Sequence, residues 1–180
     1  MALHDNAVLV PSTVHFYLAP VGTAKPADVA DIDTPWVEIG HTSIEDLMSF
    51  ESDGGDQTVL GTAQNASLKV TTARRTESFA FNLQQFDSES LKLYFGSNAV
   101  VASGWVDVPD APASTANAFL AVFTEGAKNL AFHAARAEIL RGDDLDFADT
   151  ESLASLPIKV TPTKYGTNTG PYSVYALPTV

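Results

Sequence analysis

A chain of 180 residues with 22 acids, 10 lysines and arginines and no cysteine carries a net charge of −12. The length suits one domain whose core stands without staples. The missing cysteines exclude a disulfide framework, a thiolate nucleophile and a thiolate-held zinc, and the charge repels phosphate backbones, which excludes specific nucleic-acid binding.

No stretch approaches the ~18 to 20 apolar residues that span a bilayer, and Met-Ala-Leu-His-Asp at the start lacks the basic and apolar regions of a secretory signal. A soluble protein made in a cytoplasm, with no membrane partner, is expected. From Pro26 to Leu68 there are nine acids and no base. That region cannot neutralise itself, and a solvated acidic face is its plainest reading.

After a short arm, Val14, Phe16 and Leu18 alternate with Thr13, His15 and Tyr17, the period of a strand with one buried face, and Pro20 ends it. "GTAKPADVADIDTP" reads as a polar connector and "WVEIGHT" as a second strand. Residues 42–62 then carry few strand signals. A connection this long far exceeds the ~2 to 5 residues of an ordinary hairpin turn, so it is either disordered or functional. It also bears Ile44, Leu47, Met48, Phe50, Val59 and Leu60, apolar surface that one copy covers only in part, so a partner is expected to bury it.

From Ala66 an alternating pattern predicts a hairpin. Leu68 and Val70 lie on its first strand, Arg74-Arg75 at its turn, and Phe79, Phe81 and Leu83 on its second, alternating with Ser78, Ala80, Asn82 and Gln84. One face is apolar; the other is small, polar and almost uncharged. "FDSESLKLYFG" predicts a helix over residues 87–96, with Asp87 as N-cap, Leu91, Tyr94 and Phe95 as its stripe and Gly96 as its stop. "VVASGWVDV" and a Pro-Ala-Ser loop follow. "NAFLAVFTE" is apolar on both faces and suits a buried strand, and "NLAFHAARAEIL" reads as a strand despite its alanines. Leu156, Ile158 and Val160 alternate in another, and "PYSVYAL" closes the set. About eight strands and one helix predict a mainly β fold of two packed antiparallel sheets, a sandwich or partial barrel with the helix on its flank.

Motifs for chemistry are missing. His4, His15, His41 and His133 are dispersed, with no metal-ligand spacing, and no G-x-S-x-G, Walker or dinucleotide signature occurs, so no catalytic residue, cofactor or metal is assigned. Asp144, Asp146 and Asp149 suggest calcium, but an EF-hand needs Asp or Asn where Ala148 stands and Gly where Asp149 stands, so a solvated turn is the better reading. Glu38 and Glu138, both on predicted strands, are the carboxylates that a glycoside hydrolase or carbohydrate-binding sandwich would use. Asn65 in Asn-Ala-Ser matches a glycosylation acceptor without a secretory signal to go with it. Arg74 and Arg75 read either as a solvated turn or as inter-subunit contacts to an acidic patch on a neighbouring copy.

"WVEIGHTSIEDLMSFESDGGDQTVLGTAQNASL", "TESFAFNLQQFDSESLKLYFG" and "ILRGDDLDFADTESLASLPIKVTPTKYG" resemble the major tail, or tail tube, proteins of long-tailed non-contractile bacteriophages, especially those of actinobacteria. The likeness runs from about Trp36 to Tyr165 and lies in the order of parts: acidic loop, long hairpin, capped helix, acidic turn, threonine-rich strand. It implies one tail-tube domain over 1–180, with an N-terminal arm (1–12), a long inter-ring loop (42–62), the helix (87–96), a C-terminal tail (166–180) and no decoration domain.

It further implies a structural virion protein, not an enzyme, present in the host cytoplasm before assembly. Its hexameric rings would stack into a tube, with arm and tail reaching between subunits. Leu47, Met48, Phe50, Glu51, Asp53, Asp56, Val59 and Leu60 are then the expected inter-ring contacts, and Ser78, Ala80, Asn82 and Gln84 the expected channel face, passing DNA without binding it. Implied partners are other copies, a tape measure protein in the channel, and terminator and distal tail proteins at the ends. A secretion-system tube or a tail terminator of the same fold is the nearest alternative.

Overall fold

The computed structural model describes residues 3–4, 7–145, 147 and 151–177. In chain order the elements are β1 (Thr13–Ala19), β2 (Val37–Glu38), β3 (Ser49–Gly54), β4 (Gln57–Thr62), β5 (Asn65–Thr72), β6 (Arg75–Leu83), α1 (Ser88–Phe95), β7 (Val100–Ala102), β8 (Trp105–Asp107), β9 (Thr115–Glu125), β10 (Lys128–Arg141), β11 (Leu156–Pro162) and β12 (Ser173–Tyr175). One eight-stranded sheet runs β2-β1-β9-β10-β11-β6-β3, with β12 also on β10, and every pairing in it is antiparallel. β4 pairs with β5, and β7 with β8, in two separate ribbons.

The expected mainly β class is present, and its two packed layers are two halves of one curled sheet. Three strands separate β1 from β6 in the sheet order, which on a flat sheet would hold them about 19 Å apart. Instead the rings of Phe16 on β1 and Phe81 on β6 stack with centroids 4.1 Å apart, and Phe119 on β9 lies 6.0 Å from each. The sheet folds over its own apolar face and stays open between β2 and β3 as a partial barrel. Phe79, Leu83, Ile139, Leu156, Ile158 and Val160 fill the enclosed core, and α1 closes one side with Leu93 and Tyr94.

β9 is buried on both faces, as its unbroken apolar run requires. Phe119, Ala121 and Phe123 face the main core, while Ala118, Leu120 and Val122 join Ala19, Trp36 and Ala131 in a second cluster on the opposite face. Val29 and Ile32 cover that cluster. The connector before Trp36 is therefore a lid with two apolar pegs, more than the polar linker its composition suggests. On the edge away from β9, β10 takes two partners because a register shift between Ala134 and Ala137 bends it: β12 meets Ala131–His133, and β11 meets Ala137–Arg141.

The helix starts where the capping residue says it should. Asp87 Oδ1 accepts the Ser90 amide at 2.8 Å, and Gly96, at φ 109°, donates its N–H to the Lys92 carbonyl. That amide hydrogen bond, and a second from Gln85 to the other oxygen, hold the Asp87 carboxyl below its usual range against the opposing effect of partial burial. Asp87→Ala is expected to cost about 0.5–2 kcal/mol. With the folded-state pKa depressed, the stabilisation is fully present above the unfolded value of about 3.9 and is lost as pH falls through the folded one. The gap between wild type and variant in denaturant midpoint should therefore stay constant near neutral pH and narrow as pH falls below about 4.

Three expectations need correction. Residues 42–62 are not a structureless connection, since β3 pairs with β6 and β4 pairs with β5. Exposure along both faces removed the apolar alternation by which such strands are recognised. The hairpin does not turn at Arg74-Arg75 either. β3 and β4 form its outgoing side, β5 and β6 its return, and the chain reverses between Thr62 and Asn65. Third, "WVEIGHT" contributes only Val37–Glu38 as strand, followed by an isolated bridge from Thr42 to Leu83.

Candidate assembly surface

The outer half of this long hairpin, residues 57–72, stands clear of the body as a two-stranded ribbon with every strand residue exposed. Its register places Val59 directly opposite Val70, so both point to one face, together with Leu68 two residues along from Val70. These three side chains are 54%, 53% and 62% exposed. Leu60 and Lys69 oppose each other on the other face. The register shifts next to Gly61, whose backbone lies against that of Ala66 where a Cβ has no room. A lone two-stranded ribbon with an unburied apolar face is marginal in water.

The Gly-Gly pair sits at the root of this arm. Gly54 and Gly55 both adopt φ +82°, a conformation that side-chain-bearing residues avoid. A Cβ on Gly54 would lie 2.8 Å from the Arg74 carbonyl oxygen, and the Arg75 side chain crosses the space over Gly55. The two strands therefore kink together, and the Ala73 amide donates to the Asp56 carbonyl at 2.8 Å across the kink. Arg74 and Arg75 are exposed here, and neither forms an ion pair among the described residues.

The expected inter-ring residues thus divide. Leu47 and Met48 pack against the main core of their own subunit, and Phe50, half exposed, lies against Phe79 and Tyr172. Glu51 belongs to the sheet face described next. Asp53, Asp56, Val59 and Leu60 point outward on the arm and its root.

The convex side of β10, β11, β6 and β3 is small and polar. Ladder register puts Glu138 with Thr161, Lys159 with Leu140 and Ala80, Asn82 with Pro157, and Glu51 with Ser78 on that one face. Phe79, Phe81 and Leu83 point the other way and are buried, as expected. Ala80, Asn82 and Gln84 are half-buried. Ser78, expected to be open, is instead buried. Lys159 reaches from β11 across the low floor of Ala80 and Ser78 to Glu51 on β3, Nζ to Oε2 2.7 Å, and the Ser78 hydroxyl donates to the same oxygen at 3.2 Å. Beside it Arg136 Nη2 donates to Glu138 Oε1 at 2.9 Å, and Ser114 Oγ donates to Oε2 at 2.6 Å. Both glutamates are held below the usual carboxylate range, Glu51 chiefly by Lys159 and Glu138 chiefly by Ser114 and then Arg136.

The carboxylates considered for glycoside hydrolysis are not arranged for it. Glu38 on β2 bonds His15 Nδ1 at 2.5 Å, while Glu138 is engaged by Arg136 and Ser114. A general acid needs its pKa raised, and that of Glu138 is lowered. His133 is buried against Trp36, with Nε2 at 3.1 Å from the Thr23 carbonyl, and burial first, then Lys25, keeps its pKa below normal. Of the acidic turn, Asp146 and Asp149 lie outside the described residues. No group of three or more metal-ligating side chains occurs among the described residues.

Other segments take positions that the sequence left open. The N-terminal arm lies along the β9–β10 turn of its own subunit, where Val10 N–H donates to Glu125 Oε2 and Lys128 Nζ to the Val8 carbonyl. β12 in the C-terminal tail covers β10 of its own subunit. The β7–β8 ribbon turns on Ser103 and Gly104, both at positive φ, and leaves Trp105 77% exposed. The Ser-Gly dipeptide between two short apolar runs was the signal for that turn.

The family model described as "Phage tail tube protein" matches residues 1–175. The major tail protein Gp23 of Mycobacterium phage D29 is 34% identical over 174 residues, 89% of this chain and 87% of that protein. The corresponding Gp23 of Mycobacterium phage L5 is 32% identical over the same shares.

Proposed function

The chain belongs to the phage tail tube protein family, and on that premise we propose that copies of it assemble six to a ring and ring upon ring into a tube that conducts DNA from capsid to host. The observation that carries this reading is the arm of residues 57–72. It is ordered into strands, carries Val59, Leu68 and Val70 on one uncovered face, and touches too little of its own body to bury them. A surface on the next ring supplies the missing layer.

Lateral contact uses the two unlike ends of the curled sheet. Among the described residues, β3 is unpaired on its outer side, and β1 is unpaired beyond the short β2 over Thr13–His15. Joining one such edge to the other, copy after copy, is a heterologous contact that closes into a ring, and the arm adds the axial contact that stacks rings into an open filament. Arg74 and Arg75 at the arm's root face the acidic surface of a neighbouring copy. The face of Ala80, Asn82 and Gln84 lines the channel, where small and acid-capped groups give phosphates nothing to hold. A tape measure protein fills the channel during assembly, and terminator and distal tail proteins close its ends.

Negative-stain imaging of the concentrated, purified protein tests the proposal. Rings or tubes with a central hole are expected; a protein that stays monomeric up to its solubility limit would overturn it.

A further inference from the structure

The face assigned to the channel poses a problem for DNA passage. It carries two bases, Lys159 and Arg136, and a free ammonium or guanidinium on a surface swept by a polyanion is a brake. Neither is free. Lys159 is drawn across Ala80 and Ser78 to Glu51, and Arg136 is folded back onto Glu138, two residues along the same strand. Each glutamate is in turn fixed from a second side by a serine, Ser78 for Glu51 and Ser114 for Glu138. The serines hold the carboxylates in place, so each pairing does not depend on a chance encounter of two long side chains.

We propose that Glu51 and Glu138 act as charge masks, each occupying the one base beside it so that a passing phosphate backbone finds no cation to pair with. The small residues of β6 are part of the device. A larger side chain at residue 78 or 80 would stand between Lys159 and Glu51, so the smallness of this strand serves the masking as well as the clearance. The inference rests on the reading that this face lines the channel.

The test separates the two claims. Unassembled protomers of Glu51→Gln, Glu138→Gln and the double variant are titrated with a fluorescent DNA duplex of about 30 base pairs, beside a charge-matched Asp107→Asn/Asp110→Asn control, at rising salt. The double variant should bind where wild type and control do not, with a salt slope about 0.9 steeper per uncovered base. Glu51→Gln/Lys159→Gln should bind no better than wild type, since the uncovered cation is gone. Both pairs are half-exposed, so folding should survive, and circular dichroism checks it. Equal binding by the double variant and the charge-matched control would overturn the masking. Separately, the cysteine-free chain allows Ala80→Cys to report location: a maleimide carried on a particle wider than a DNA duplex should label protomers but not assembled tubes. Labelling of intact tubes would overturn the channel assignment and leave the masking result to stand or fall by itself.

Discussion

Val59→Thr together with Val70→Thr is expected to raise the concentration needed for tube growth by roughly a hundredfold or more while moving the melting temperature of the protomer by no more than about 2 °C. The two valines face each other across an exposed ribbon and pack on nothing else in the body. Threonine keeps the β-branch and so the strand. What it removes is apolar area that only another copy covers, about 1.5 kcal/mol or more for each valine buried at the axial contact. Losing about 3 kcal/mol per contact weakens it by more than two powers of ten. Sedimentation of assembled material against concentration reads this directly. Unchanged assembly would mean that the valine face is not the axial joint, and a large fall in melting temperature would mean that the arm packs on its own body in solution.

How much of this was legible beforehand follows from which faces are buried. β1, β6 and β11 alternate because one face of each lies on the core and the other on water or a thin polar layer, and β9 reads as continuous because a second cluster covers its far side. α1 was legible from Asp87 and Gly96, since capping is a local chemistry. β3 and β4 were not legible, because every residue in them is exposed, with Phe50 alone leaning on the core, and their acids and glycines imitate a loop. The same exposure is what makes them candidates for assembly, so the failure of the pattern falls on the part proposed to assemble.

Long-range pairings were beyond reach for a different reason. The alternation of Leu68 and Val70 fits either β4 or β6 as partner, and Arg74-Arg75 has the polarity of a turn, so the kink at Gly54-Gly55 that lets both strands bend together had no distinguishing signal. Glu51 and Lys159 are separated by 108 positions. They meet only because β11 and β3 flank β6 in the folded sheet. The small residues at 78 and 80 were visible as a polar face, but their role as the floor beneath an ion pair needed the register. The lid of Val29 and Ile32 was hidden because two apolar residues among acids and prolines do not stand out from a linker.

Phe79→Ala carries the largest expected loss of stability, about 3–5 kcal/mol, which in a chain of this size lowers the melting temperature by roughly 6–20 °C. Phe79 is fully buried and meets four aromatic neighbours: Phe50 at 5.7 Å, Phe119 at 5.9 Å, Phe132 at 5.6 Å and Tyr172 at 5.3 Å between ring centroids. Those rings come from β3, β9, β10 and the segment leading into β12, so one side chain ties together both layers of the curled sheet. The cavity left by alanine cannot collapse without moving β6, β9 or β10, each hydrogen-bonded on both sides. Because Phe50 leans on Phe79 from the strand that leads to the arm, the loss reaches assembly as well. Tubes of the variant should come apart at a lower temperature than wild-type tubes, with the arm residues themselves untouched. The threonine variants should show the opposite division, with assembly lost and the protomer intact. If Phe79→Ala shifts the denaturant midpoint by the equivalent of less than about 1 kcal/mol, the rings around Phe79 are not the keystone of the fold, and the closure of the sheet must rest on the contacts among Phe16, Phe81 and Phe119.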